Sequence, residues 1–112
     1  MYKIFGINNC NTVKKAINHL DNAKISYEFV NVKKTPPTKN QIKTWKDAFE
    51  DWPVNKRGPT YRKIKEEFEA APAAEKYKIL METTSAIKRP ILMKGEKVIS
   101  FGYDEEAYDK LK

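Results

Sequence analysis

The sequence predicts a single α/β domain with a mixed four-stranded sheet, and three of its features carry this prediction. It opens with a β-rich run, an amphipathic helix pattern and a second β-rich run. Its middle shows only helical periodicity, interrupted by prolines. Near its end, two short β-rich runs flank a turn and precede a last helix pattern. The 112 residues suffice for one hydrophobic core but not for two cores and a linker, so one domain is expected over residues 1–112.

The first third of the sequence predicts a βαβ unit. Residues 2–7 and 27–32 are rich in β-branched and aromatic side chains, which favour strands. Between them, apolar residues recur at the i, i+3, i+4, i+7 spacing of a helix, at Val13, Ala16, Ile17 and Leu20. A helix of roughly a dozen residues is long enough to cross the sheet, so the second strand should lie parallel to the first.

The middle of the chain predicts helices alone. Pro36 and Pro37 end the strand pattern, and Thr38 can cap the helix that follows. A second helix should follow the turn at Gly58, and Pro72 should open a third. The apolar faces of these helices contain Ile42, Trp45 and Phe49, then Tyr61, Ile64 and Phe68, and finally Tyr77, Leu80 and Met81.

The last part of the chain predicts a hairpin and a covering helix. Residues 91–93 and 98–100 are β-rich, and the Lys-Gly-Glu-Lys segment between them has the length and composition of a hairpin turn. A final helix should begin near Asp104. The resulting order, βαβ, then helices, then ββα, is the layout of a thioredoxin-like fold with a helical insertion at about residues 36–85 between its halves.

Composition and charge narrow the class of protein. Apolar residues make up 40% of the chain and charged residues 33%, as in folded globular proteins. No apolar run approaches the roughly 18 residues of a membrane span, and the first residues resemble a strand rather than a signal peptide, so a soluble cytoplasmic protein is expected. The net charge of +7 favours oxyanions, glutathione carboxylates, nucleic acid or an acidic protein face as partners, although a basic surface can also serve solubility alone.

Cys10 is the only cysteine, so an internal disulfide and a thiolate metal cage are excluded within one chain. It lies where the first predicted strand meets the first helix. There the helix dipole and the first N–H groups favour the thiolate, which is the nucleophilic form. The alternative is a small buried side chain without a chemical role. His19, the only histidine, is expected on a helix surface rather than as a general base for Cys10.

Two basic segments contain further candidates. Arg89 precedes Pro90 at the start of the third predicted strand, where a proline is either an edge residue or a cis residue in a turn. In a thioredoxin-like layout, a cis-proline before this strand packs beside the cysteine, which would bring Arg89 to Cys10. Residues 55–63 contain four cations around a turn and a helix start, a pattern that is also typical of a solvated surface.

Five segments together resemble the ArsC and Spx family, which comprises glutaredoxin-linked arsenate reductases and their Spx-type relatives. The segments are Gly6–Ala16, Pro36–Thr38, Asn55–Lys63, Ile87–Ile91 and Phe101–Tyr103, and they occur in the family's order. In this layout the chain is most similar to the small YffB-type proteins. The resemblance implies a thioredoxin-like fold and a thiol-dependent oxidoreductase, in which one cysteine attacks the substrate and an external thiol resolves the adduct.

The resemblance also implies a role for individual residues. Cys10 would be the attacking thiolate, and Arg62 and Arg89 would stabilise it and bind an anion, because a guanidinium is permanently charged and can bind two oxygens at once. The residues expected to contact the substrate are Asn9, Thr12, Arg57 and Pro90. No metal or bound cofactor is expected. Glutathione is the expected co-substrate, with glutathione or glutaredoxin as the partner.

Two departures from the family pattern bear on function. After the last strand, where arsenate reductases of this class have an arginine-proline pair, this chain has Ser100-Phe101-Gly102, which argues against arsenate itself as the substrate. At the position of the second cysteine of the Spx redox switch, this chain has Val13. The alternative function is that of a Spx-like transcriptional regulator that binds RNA polymerase without turnover. Membrane and direct nucleic-acid partners are not expected.

Overall fold

The computed structural model describes residues 2–8 and 10–111, and it orders the chain as strands, helices and strands again. The strands are β1 (Tyr2–Gly6), β2 (Tyr27–Asn31), β3 (Ile91–Lys94) and β4 (Lys97–Phe101). The α-helices are α1 (Asn11–Asn22), α2 (Lys39–Phe49), α3 (Pro59–Ala70), α4 (Ala73–Glu82) and α5 (Glu105–Asp109), and a 3₁₀ turn spans Thr84–Ala86. Each element that the sequence predicts is present, with small differences at the ends.

The chain forms two compact units. The first consists of Met1–Thr35 and Arg89–Lys112 and holds the sheet with α1 and α5, whereas the second is Pro36–Lys88 and holds the other helices.

The sheet of the first unit has the order β2-β1-β3-β4. β1 pairs in parallel with β2, with Ile4 opposite Phe29, so the predicted βαβ unit is confirmed. β3 lies antiparallel to β1, with Phe5 opposite Ile91, and β4 lies antiparallel to β3 as the predicted hairpin. The mixed four-stranded sheet expected from the sequence is therefore confirmed.

The core of the first unit lies between the sheet and its two helices. α1 buries one stripe, formed by Val13, Ala16 and Leu20, because these residues share a face at helical spacing. The central cluster of buried side chains comprises Tyr2, Ile4, Ala16, Leu20, Leu92 and Tyr108. α5 contributes Tyr108 to this cluster, and its first turn is capped by the Asp104 carboxylate, which accepts hydrogen bonds from two backbone N–H groups.

Local capping accounts for the helices of the second unit. The Thr38 hydroxyl accepts a hydrogen bond from the Gln41 N–H at 3.2 Å, which confirms the predicted cap of α2. Pro59 occupies the first turn of α3, where the absence of an N–H costs no hydrogen bond. Pro72 stands at the cap position just before α4 rather than inside the helix.

An aromatic cluster around Trp52 packs the helices of the second unit together. The Trp52 ring lies edge-on to the rings of Tyr77 and Phe68, with ring centres 4.9 and 5.8 Å apart. The Lys46 and Lys76 ammonium groups lie over the Trp52 ring, 5.0 and 5.8 Å from its centre, in cation–π geometry. Trp52 therefore joins α2, α3 and α4. None of the described helices is long and apolar enough to cross a membrane.

Candidate thiol site

Cys10 is the N-cap residue of α1. Its backbone is extended, with φ −123° and ψ 119°, while its carbonyl already accepts the first helical hydrogen bond, from the Lys14 N–H at 3.0 Å. The Cys10 N–H donates to the Asn8 carbonyl at 3.0 Å, which fixes the loop that follows β1. The Cys10 side chain makes no capping hydrogen bond with α1, although the N–H groups of the first turn lower the pKa of its thiol.

The surroundings of Cys10 favour its thiolate. Burial raises the pKa of the thiol, but the backbone N–H of Val13, the Arg89 guanidinium and the Thr12 N–H all lower it, and their combined effect prevails. The pKa of Cys10 is therefore below the ordinary value for a cysteine. The side chain is only partly buried, so a reagent from solution can reach it. A partly exposed cysteine with a lowered pKa has the properties of a reactive nucleophile.

Arg89 reaches Cys10 because of the way β3 pairs with β1. Ile91, the first residue of β3, lies opposite Phe5 near the end of β1, and Arg89 and Pro90 directly precede it. The Arg89–Pro90 peptide bond is cis, as predicted, and Pro90 is buried. The side chain of Arg89 hydrogen-bonds to Cys10 and lowers the pKa of the thiol through its charge as well. The fold thus joins two residues that are far apart in the sequence.

The segment after β4 supports Pro90. Gly102 adopts a left-handed conformation, with φ 75°, and its N–H donates to the Pro90 carbonyl at 2.7 Å. This is the place where the resemblance implies an arginine-proline pair in arsenate reductases and where this chain has Ser100-Phe101-Gly102. The structure has there a glycine that makes a backbone hydrogen bond, so the segment contributes no guanidinium to the thiol site.

The remaining predicted site residues lie in different parts of the molecule. Thr12 is exposed in the first turn of α1, and it acts on Cys10 through its backbone N–H. Asn9 lies outside the described residues. Arg62 is exposed in the first turn of α3, and Arg57 is exposed in the turn before it, so both belong to the second unit. Their roles toward Cys10 stay predictions.

Arg57 lines a basic cavity of its own unit. The cavity has a volume of about 470 Å³ and is lined also by Lys56, Lys88 and Asn55, with Asp51 as its acidic residue. The pKa of Asp51 is lowered, first by the Trp52 N–H and further by Lys56, to which Asp51 forms an ion pair at 3.4 Å. Part of the positive charge of this cavity is therefore neutralised by a neighbouring carboxylate.

His19 is engaged elsewhere, as the sequence led us to expect. Its Nδ1 lies 2.7 Å from the Tyr103 hydroxyl, and its Nε2 lies 3.0 Å from an Asp109 carboxylate oxygen. Both ring nitrogens thus contribute to the contact between α1 and the C-terminal segment, a bridge with no signal in the local sequence pattern around His19. Among the described residues, no group of three or more histidine, cysteine, aspartate or glutamate side chains could hold a metal ion.

The fold and the site define a thioredoxin-like protein with a single cysteine at the start of its first helix. The sequence model of the ArsC family matches residues 5–111, nearly the whole chain. The protein belongs to the ArsC family.

Comparison with individual proteins supports the same assignment. A solved structure described as a YffB protein superposes with a TM-score of 0.86 at 30% identity, covering 97% of this chain and 96% of that one. A Streptococcus mutans structure described as a possible arsenate reductase has a TM-score of 0.80 at 27% identity, covering 97% and 98%. The global transcriptional regulator Spx of Staphylococcus saprophyticus is 28% identical over 95% of this chain and 82% of its own length. The predicted thioredoxin-like fold and the predicted resemblance are both confirmed.

Proposed function

We propose that this protein is a thiol-dependent reductase of the cytoplasm, in which Cys10 forms a covalent adduct with an oxidised substrate and glutathione or glutaredoxin resolves it. One observation carries the proposal: the partly exposed Cys10 lies at the start of α1, where the Val13 N–H, the Arg89 guanidinium and the Thr12 N–H together lower the pKa of the thiol against the effect of burial. A buried cysteine without a chemical role would not need a guanidinium beside it.

The reaction can be written for a mixed disulfide between glutathione and another thiol. The Cys10 thiolate attacks the glutathione sulfur, a new S–S bond forms, and the other thiol leaves as a thiolate that takes a proton from water. A second glutathione thiolate then attacks the glutathione sulfur bound to Cys10. Glutathione disulfide leaves, and the Cys10 thiolate is regenerated. The two electrons come from glutathione, as the lone cysteine requires.

Arg89 has two functions in this scheme. Its charge favours the Cys10 thiolate, and its guanidinium can bind a carboxylate of glutathione while the sulfur atoms react. Arg62 is proposed to approach the same thiol, and Asn9, Thr12, Arg57 and Pro90 are proposed to contact the substrate. The Ser100-Phe101-Gly102 segment adds no further guanidinium to Arg62 and Arg89, which favours disulfides over arsenate as substrates.

The second candidate is a transcriptional regulator of the Spx type that binds RNA polymerase. The similarity to the Spx regulator of Staphylococcus saprophyticus over 95% of this chain favours it. Val13 stands where the redox switch of Spx has its second cysteine, so a regulator of this kind would lack an internal disulfide. The thiol chemistry of Cys10 has no obvious purpose in such a protein, and we therefore place it second.

A coupled assay distinguishes the two functions. The purified protein is incubated with glutathione, glutaredoxin and either arsenate or a glutathione mixed disulfide, and the formation of glutathione disulfide is followed. We expect turnover of the mixed disulfide by the wild-type protein and none by Cys10→Ser. Absence of turnover on both substrates, together with retention of RNA polymerase on the immobilised protein, would replace the reductase by the regulator.

A further inference from the structure

Gly6 ends β1 at a place where there is no room for a side chain. The Gly6 carbonyl accepts a hydrogen bond from the Val32 N–H at 2.9 Å, and Gly6 pairs with Asn31 of β2. These contacts fix the backbone of Gly6 beside β2. A Cβ atom on Gly6 would lie 2.8 Å from Val13 Cγ2 and 3.1 Å from Val13 Cγ1. Real Cβ atoms essentially never make contacts below 3.0 Å, and a contact of 3.1 Å is already tight. The side chain of Val13 therefore packs directly on the backbone of Gly6.

Val13 is also the residue whose backbone N–H favours the Cys10 thiolate. It is the third residue of α1 and is 1% exposed, so its side chain is fully enclosed. A valine in a helix has one strongly preferred χ1 rotamer, so its side chain cannot rotate away at low cost. The same residue thus packs on Gly6 through its side chain and lowers the pKa of Cys10 through its backbone N–H.

We propose that Gly6 is a positioning residue for Cys10. Because Gly6 has no side chain, Val13 can pack on the end of β1, and this packing holds the first turn of α1 beside the Cys10 sulfur. The inference rests on the proposed function, because it explains how the reactivity of the nucleophile is set. Gly6 itself does not touch the substrate. It acts through the side chain of Val13, which packs on it.

A methyl group at position 6 should displace the first turn of α1. Gly6→Ala adds the Cβ that meets Val13, and because β1 is held by β2, the shift falls on the helix. The Val13 and Thr12 N–H groups then move relative to the Cys10 sulfur and stabilise the thiolate less. Alkylation of Cys10 by iodoacetamide at pH 7 should become about threefold slower or more, since only the thiolate reacts.

The test is a double-mutant cycle on the full chain. The alkylation rate and its pH midpoint are measured for the wild type, Gly6→Ala, Val13→Ala and the double variant Gly6→Ala/Val13→Ala. Val13→Ala removes both atoms that the new methyl group would meet, so the double variant should react at the rate of Val13→Ala. Leu20→Ala serves as the matched control, because it opens a cavity under the same helix away from Gly6, and its rate should equal that of the wild type.

Two results would overturn the inference. One is a folded Gly6→Ala variant that reacts at the wild-type rate, and the other is a double variant that stays slower than Val13→Ala. A second measurement does not depend on the folding of any variant: in the wild type, the amide NMR signals of Thr12 and Val13 should shift as Cys10 titrates. If these two signals do not follow the titration, the N–H groups are not beside the thiolate and the inference is wrong.

Failure of the inference is distinguishable from failure of the proposed function. If Cys10 of the wild-type protein is alkylated no faster than a free cysteine, both the reductase and the positioning role of Gly6 are wrong. A reactive Cys10 that fails to reduce a mixed disulfide would remove the reductase but leave the positioning role of Gly6. An active reductase whose Gly6→Ala variant is as reactive as the wild type would remove the positioning role alone.

Discussion

The reactivity of Cys10 results from a competition between burial and local donors. Burial alone would raise the pKa of the thiol, and the protein offsets this with two backbone N–H groups and one guanidinium. The approach of Arg89 could be predicted only from the layout of a thioredoxin-like fold, whereas Cys10 could be predicted from a local pattern, the junction between a strand and a helix. The contact between Gly6 and Val13 could not, because it depends on the distance between the end of β1 and the first turn of α1.

The pH dependence of Cys10 reactivity provides the first prediction. Because the folded protein lowers the pKa of Cys10, the midpoint of its alkylation should lie at a lower pH than that of a free cysteine, and the rate should decline as the pH falls through this midpoint. Arg89→Gln removes a charge that favours the thiolate, so its alkylation midpoint should move to higher pH. The rate of iodoacetamide labelling across a pH series measures this. A midpoint that is equal in both proteins, or no lower than that of a free thiol, contradicts it.

The geometry of the guanidinium provides the second prediction. Arg89→Lys retains the net charge of +7 but loses the planar fork that can bind two oxygens at once. The value of kcat/KM for the glutathione mixed disulfide should fall by about tenfold or more, equivalent to at least about 1.4 kcal/mol of transition-state stabilisation. Arg62→Lys should have a similar effect if that residue also serves the thiol.

Arg57→Lys is the matched control for this comparison. It makes the same exchange in the exposed turn before α3, and its effect should be smaller. If the three lysine variants lose activity equally, or not at all, the arginines belong to a general basic surface. The regulator would then be the better explanation of the same residues.

At the level of elements, α5 depends on a bridge that crosses from α1. α5 has only five residues, too few for a helix to be stable alone, and it needs its cap and its packing. His19 joins α1 to this segment through Tyr103 and Asp109, while Tyr108 lies against the His19 ring with centres 5.6 Å apart. The position of α5 was predictable from Asp104, but the bridge was not, since its partners are separated by more than eighty residues.

Loss of this bridge provides the third prediction. His19→Phe retains a flat ring against Tyr108 and removes both polar contacts, so the free energy of unfolding should fall by about 1–2 kcal/mol. Denaturation in urea measures the change. Tyr27→Phe is the control, because it removes an exposed hydrogen bond to Asp21 and should change stability by less than about 0.5 kcal/mol. The alkylation rate of Cys10 should be unchanged in His19→Phe, and a large decrease would instead make His19 part of the thiol site.

At the level of the whole molecule, the order of the helices and strands follows from local periodicity. Their grouping into two compact units depends on contacts between distant segments of the chain. The apolar spacing of Val13, Ala16 and Leu20 marks α1 without any tertiary information. The return of the chain at Arg89 to the unit that it left at Thr35 depends on the pairing of β3 with β1. Strand pairing over such a separation has no signature in the periodicity of either strand. It was inferred from the layout of a known fold.

Global stability at high pH provides the last prediction. Burial raises the pKa of Tyr108 from 10.0 to about 12, while the Ser100 hydroxyl opposes this and Tyr103 adds to it. Because the folded-state value is the higher one, the unfolded chain releases the phenol proton first. The contribution of Tyr108 to stability is therefore intact below about pH 10 and is lost progressively up to about pH 12. A shift of this size is equivalent to about 2–3 kcal/mol of unfolding free energy.

Tyr108→Phe isolates this contribution from the other titrating groups. The phenylalanine keeps the buried ring in the cluster with Leu20 and Leu92 but has no proton to lose. Urea denaturation between pH 9 and 12 should show the wild type losing more stability than the variant, and the two curves should separate only above about pH 10. Parallel curves over this range would show that the Tyr108 hydroxyl ionises as readily in the folded protein as in the unfolded chain, and that its burial in the core does not protect it.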